Sequence, residues 1–371
     1  MIVALALVFS AYAAVVLILA AILWRGRPPA SIPDDELPTV AVTVAARDEQ
    51  DALPRCLAAL RAQDYPADRL TIVVADDHST DRTAEIVLEG VASRSETEPA
   101  IRYVRVPDPA GALRGKAHAI HAAIEAVEAE LILITDADCA PVSTWARTMT
   151  AAFADPQVGI SCGLARVETR PGRLFDRVQS LDWSLLLGAV AAAAESGAPA
   201  TGMGNNMALR RSVYDEVGGY PALPFSVTED FALVQAVTKQ TTATVRFPLD
   251  ADTTVWTLPT DSVLEAYEQR RRWARGGVSG GVPVLGVYGL LFGVHALLLA
   301  ALVLTPFAGL VALGIKMVAD ATLLVAVARR VGWTVRLTPL PLVELFLIFY
   351  LVSLPAVLIL RPQIRWKGRR L

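Results

Sequence analysis

The chain has 371 residues, a formal net charge of −3 and 54% hydrophobic residues, with a mean hydropathy of +0.44. Such a chain is long enough for about two domains and too apolar for an ordinary soluble enzyme. Three cysteines without zinc-ligand spacing argue for reduced, cytosolic thiols rather than a disulfide framework. No basic, aromatic-interleaved patch is present, so nucleic acid is not an expected partner.

The apolar excess lies at the two ends. Ile2 to Leu23 carries no charge and is long enough to cross a bilayer. It lacks a basic leading region and a small-residue cleavage site, so it reads as a retained anchor, with Arg25 and Arg27 on the cytoplasmic side. A Pro-rich, acidic linker follows. Thr39–Ala46 then reads as a buried strand ending at Arg47-Asp48-Glu49, and Leu53, Leu57 and Leu60 have helical spacing. Leu70–Ala75 is a second strand, running into Asp76-Asp77-His78-Ser79-Thr80-Asp81. A helix from Thr83, a strand over Ile101–Val106, the loop Gly111-Ala-Leu-Arg114-Gly115-Lys116 and a helix from Lys116 continue the alternation. Leu131-Ile-Leu-Ile134 is a strand buried on both faces, and it leaves the sheet through Thr135-Asp136-Ala137-Asp138.

Strands alternating with helices imply a parallel α/β sheet with right-handed crossovers. Three of its strands end in charged clusters, at Arg47/Glu49, Asp76/Asp77 and Asp136/Asp138. Ligands sit beyond the carboxyl ends of strands in such sheets, and a hard divalent ion binds through one or two carboxylates plus substrate phosphates. One acidic tip alone is an ordinary polar turn. Three on one edge form a nucleotide crevice.

Farther on, Leu174, Val178, Leu181, Trp183 and Leu185 lie on a helix within 172–195, read as core packing with a lipid-acceptor path as the alternative. Thr228-Glu229-Asp230 reads as the first turn of another helix, where the dipole alone favours carboxylates. Ser262-x-x-Glu265 is a capping box opening a helix to about Arg275. Its Gln269, Arg272 and Trp273 share one face, leaving Arg270, Arg271 and Arg275 for lipid headgroups. No charged residue occurs between Arg275 and Lys316, and spans are expected over Val282–Leu304, Pro306–Ala328 and Leu340–Leu360. Within them Lys316 and Asp320 neutralise each other on one helix, and Glu344 reaches the interface. Arg361, Arg365, Lys367, Arg369 and Arg370 form a basic tail suited to an anionic membrane surface. Arg329 and Arg330 also favour the cytoplasm, yet one span separates them from that tail, a conflict within the positive-inside rule.

The ordered motifs Arg47-Asp-Glu49, Val73-Val-Ala-Asp-Asp77, Gly115-Lys-Ala117, Asp136-Ala-Asp138, Thr201-Gly-Met-Gly-Asn-Asn-Met-Ala-Leu-Arg-Arg211, Val217-Gly-Gly-Tyr220, Thr228-Glu-Asp230 and Gln269-Arg-Arg-Arg-Trp273 resemble a membrane-bound family 2 glycosyltransferase of GT-A fold. The likeness covers about residues 39–277 and is similar to ceramide and carotenoid glucosyltransferases and, more distantly, to cellulose and hyaluronan synthases. It implies an anchor at 1–24, a linker at 25–38, a cytoplasmic GT-A domain at 39–258, an interface helix at 259–277, membrane helices at 282–360 and the tail at 361–371. By resemblance, Ala46, Glu49, Asp77, Lys116, Asp136, Gln269, Arg272 and Trp273 bind the donor, a UDP-sugar. Asp136 and Asp138 hold Mg²⁺ or Mn²⁺, Asp230 is the catalytic base, and Glu229 assists it. His78 replaces a glycine common at that position. The implied reaction is an inverting transfer to a membrane-embedded lipid hydroxyl in a bacterial-type inner or plasma membrane. The alternatives are a processive polysaccharide synthase and a catalytically silent nucleotide-sugar sensor.

Overall fold

A computed structural model describes residues 2–26, 32–109, 113–199, 201–278, 281–361, 363, 365, 366, 369 and 370. Arg27, Gly111 and Lys367 lie outside the described residues. In chain order the elements are α1 (Ile2–Trp24), β1 (Val40–Ala46), α2 (Leu53–Arg61), β2 (Leu70–Asp76), α3 (Thr83–Ala92), β3 (Ala100–Arg105), α4 (Gly115–Glu125) and β4 (Leu131–Asp136). Then come β5 (Cys139–Pro141), α5 (Trp145–Ala151), β6 (Val158–Cys162), β7 (Ala165–Val167), α6 (Leu174–Glu195), β8 (Asn206–Arg210), α7 (Arg211–Glu216), α8 (Gly219–Ala222) and α9 (Glu229–Gln240). The chain continues through β9 (Thr244–Arg246), β10 (Val255–Thr257), α10 (Val263–Val278), α11 (Val282–Leu304), α12 (Pro306–Val331) and α13 (Leu340–Leu360).

These elements fall into two compact units, one over 27–166 and 201–258, the other over 1–26, 167–200 and 259–371. The first holds a seven-stranded sheet in the order β3-β2-β1-β4-β8-β6-β9. The expected parallel half is there: β2 and β4 flank β1, and β3 flanks β2, all parallel. β8 then runs antiparallel to β4 and β6, which makes the sheet mixed. Leu131, Ile132, Leu133 and Ile134 are each almost wholly buried, as a strand covered on both faces requires. Each such side chain contributes about 1.5–3 kcal/mol of apolar burial. The register is what places the tips together. Ala46 pairs with Asp76 on one side, and Ala45 pairs with Asp136 on the other. A smaller sheet, β5-β10-β7, carries the chain onward from that edge.

In the second unit, α1, α11, α12 and α13 are long and apolar enough to cross a membrane. The sequence-expected spans match them, with α12 continuing to Val331. α1 lies along α12, and α6 packs against α1, α12 and α13. Phe175, Val178, Leu181 and Leu185 of α6 join Leu324, Leu340 and Val343 in one apolar cluster, so the packing role expected of α6 is met by helices rather than by a sheet.

Two expectations for charged residues are corrected here. Glu344 does not reach the interface: it is 1% exposed, and its Oε2 accepts a 2.6 Å hydrogen bond from Lys316 Nζ. Lys316 also binds Asp320 at 2.7 Å, as the spacing suggested, and the Tyr12 hydroxyl donates to Asp320 at 2.7 Å. One ammonium thus serves two carboxylates from two helices, since a lone acid would be costly in an apolar surround. Arg270 and Arg271 are likewise buried rather than turned to lipid. Arg271 donates to the carbonyls of Arg361 and Gln363, satisfying the chain just past α13. Arg275 remains exposed.

Candidate active site

The carboxyl edge of the parallel strands carries two groups of charges. At the β1 and β2 tips, Asp77 N donates to Ala46 O at 2.8 Å, and Arg47 reaches both the carbonyl and, at 3.8 Å, the carboxylate of Asp77. Asp77 is buried. Asp76 is fixed from two sides, by Ser79 N and by the Tyr103 hydroxyl of β3. The loops after β1 and β2 are stitched by Asp48 to Thr80, Glu49 N to Thr83 Oγ1 and Gln50 N to Asp81. His78 adopts φ 57, in the left-handed region. That conformation favours glycine, which accounts for the glycine common at this position in the resembling family.

The second group forms around Lys116, the second residue of α4. Its Nζ contacts Asp136 Oδ1 at 2.6 Å, Glu229 Oε1 at 3.0 Å and the Gly204 carbonyl at 3.0 Å. An ammonium has three donors, and all three are used. Burial alone would lower the Lys116 pKa, but Asp136 and Glu229 outweigh it and hold the amine above its ordinary value. Burial pushes Glu229 upward, against the pull of Lys116. Asp230 is oriented by main chain, for Gly204 N donates to its Oδ2 at 2.7 Å. A Cβ at Gly204 would lie 2.9 Å from Glu229 Oε1 and 3.2 Å from Lys116 Nζ, so glycine here lets both side chains approach without shifting. The bond from Gly204 was not legible in sequence, although the glycine sits inside the motif that begins at Thr201.

Oxygens of Asp136 and Asp138 and the sulfur of Cys139 come within 4.8 Å of one another. Burial holds the Cys139 thiol well above its usual pKa, and it donates to Asp138 Oδ1 at 3.3 Å. Hard cations prefer oxygen to sulfur, so the two carboxylates are the ligands suited to such an ion. That donor set fits Mg²⁺ or Mn²⁺ completed by phosphate oxygens. Gln269, Arg272 and Trp273 lie on α10 in the other compact unit, with Arg272 and Trp273 partly exposed.

Comparison with known proteins decides the family. A model described as "Glycosyltransferase like family 2" matches residues 38–276. The chain belongs to that family. A probable glycosyltransferase, YdaM, of Bacillus subtilis is 29% identical over 252 residues, covering 65% of this chain and 56% of its own. Beta-monoglucosyldiacylglycerol synthase of Synechocystis sp. is 25% identical over 247 residues, covering 65% and 48%. The chain thus spans about half the length of these curated relatives. Among solved structures, mannosyltransferase PcManGT of Pyrobaculum calidifontis, in complex with GDP-Man and Mn²⁺, aligns with a TM-score of 0.58 at 20% identity. The alignment covers 97% of this chain and 99% of that one, and it shows that the fold is shared. The protein is a GT-A glycosyltransferase-family chain with membrane-length helices on both sides of the matched region.

Proposed function

We propose that this protein transfers a sugar, with inversion, from a nucleotide-sugar donor to the hydroxyl of a membrane lipid. The observation that carries the reading is the Lys116 cluster: a cation joined to Asp136 at a strand tip and to Glu229, beside an Asp230 gripped by Gly204. Ala46, Glu49 and Asp77 are assigned to the nucleoside of a UDP-sugar, and Lys116 to its diphosphate. Gln269, Arg272 and Trp273 of the 259–277 helix complete the donor site, with 39–258 as the cytoplasmic catalytic domain.

The chemistry follows from where charge develops. As the glycosidic bond breaks, the leaving diphosphate gains negative charge, which fixed cations stabilise. A divalent ion on Asp136 and Asp138 would supply Lewis-acid stabilisation of that charge. Lys116 binds the phosphate oxygens and yields part of its hold on Asp136. Asp230 accepts the proton of the acceptor hydroxyl, its orientation set in advance by the Gly204 amide. Glu229 keeps Lys116 placed beside it. The glucosylated diacylglycerol in the name of the Synechocystis relative, together with four membrane-length helices, supports a lipid hydroxyl as acceptor.

The test is incubation of the full chain in liposomes with labelled nucleotide sugars and Mn²⁺ or Mg²⁺, followed by lipid extraction. A discrete labelled glycolipid is expected. A high-mass polymer would replace this reading with that of a polysaccharide synthase, and no product with any donor would remove it.

A further inference from the structure

α6 and α10 meet through charge as well as apolar surface. Asp182 of α6 and Arg270 of α10 form a buried ion pair, each side chain less than a tenth exposed. The Arg270 guanidinium lies 4.6 Å from the ring centroid of Trp273 and 5.7 Å from that of Trp183. The two indoles meet edge to face at 5.0 Å, 84° apart. Tyr350 of α13 donates to the Arg270 carbonyl at 3.3 Å. A small cleft lined by Gln179, Asp182, Gln269, Arg270 and Phe346 opens beside the pair.

Stability alone does not account for this arrangement. Removing both charges from water is costly, and apolar side chains of similar volume often serve equally well or better. What the pair supplies is direction. A planar guanidinium locked to a carboxylate has few poses, and its face orients an adjoining indole. Trp273 is the partly exposed member of the group, so it alone has surface left for a ligand, whereas Trp183 is buried.

We propose that Asp182, acting through Arg270, is a positioning residue that fixes the Trp273 indole in the pose a nucleotide sugar meets. This rests on the assignment of Trp273 to the donor site under the proposed function. Asp182 lies outside every motif of the family likeness, 91 residues before Trp273.

The deciding variant replaces the pair by apolar residues of similar volume, Asp182→Leu with Arg270→Met. It is expected to melt at or above the wild-type temperature. Its KM for the donor should rise about tenfold, the scale of a desolvated cation–π contact, while kcat stays within about threefold. In protein labelled with 5-fluorotryptophan, the Trp273 fluorine line, assigned through Trp273→Phe, should shift or broaden in the double variant. An unchanged donor KM overturns the proposal, whether or not the line moves, because the pose would not be what the donor reads. Should the double variant fail to fold, Arg270→Lys keeps the charge and loses the planar face. The same two readouts then decide, with a raised KM and a moved line expected and an unchanged KM overturning the proposal. If Trp273→Phe itself leaves the donor KM unchanged, the donor-site assignment of Trp273 falls instead. If wild type transfers no sugar, the functional reading falls, and an unmoved fluorine line in a folded variant overturns the positioning claim independently.

Discussion

Two lysines, each holding two carboxylates, occupy the two compact units of this protein. Lys116 bridges Asp136 and Glu229, and Lys316 bridges Asp320 and Glu344. Their distances are almost the same, but their surroundings are not. The Lys116 side chain is 20% exposed and its partner Asp136 34%, whereas Lys316 and both its acids are within 1% of complete burial. The open cluster can exchange partners with a ligand. The sealed one has nothing to exchange with and serves to join helices. Identical chemistry is a proposed site in one place and a fastening in the other, and access to solvent separates the two.

That contrast can be broken in graded ways. Chelation of divalent cations should abolish transfer, and added Mn²⁺ or Mg²⁺ should restore it, with no change in melting of the spans. Asp230→Asn should lower kcat by about 10²–10⁴, the usual worth of a general base, while melting is preserved because the amide oxygen still accepts from Gly204 N. Lys316→Met strands two buried acids and should cost about 3–5 kcal/mol in thermal unfolding in detergent. Lys116→Met should instead weaken donor binding about 10–100-fold by titration calorimetry, the loss of a charge-assisted contact. The half-buried Arg61–Glu98 pair near the surface marks the lower bound. Arg61 holds the Glu98 carboxyl at about 2, below its ordinary 4.5. A depressed carboxyl stabilises above its unfolded value and loses that contribution as pH falls through its folded one. Glu98→Gln should therefore flatten the melting curve only between about pH 4.5 and 2, by the small amount a surface pair contributes.

Much of the catalytic half was legible because it rests on local pattern. The run of four apolar residues before Asp136 and the charged ends of three strands come from period and composition, and the parallel register then brings those tips to one edge. The four long helices were legible for the same reason, since span length and charge depletion are properties of a single segment. What escaped depends on partners far away in sequence. Arg270 looked as suited to headgroups as Arg275 until Asp182 and Trp183 stood beside it. Glu344 looked like an interfacial acid until Lys316 came across from α12. The antiparallel insertion of β8 beside β4, and the grip of Gly204 on Asp230, likewise arise only when a later segment returns to the sheet.

The bond between Tyr12 and Asp320 joins residues 308 positions apart. During synthesis, the Tyr12 phenol must therefore remain without this acceptor while the whole sheet-bearing unit emerges. Assembly of the bundle closes only with the last two helices. A truncated product ending before α12 would leave its leading helix without that anchor.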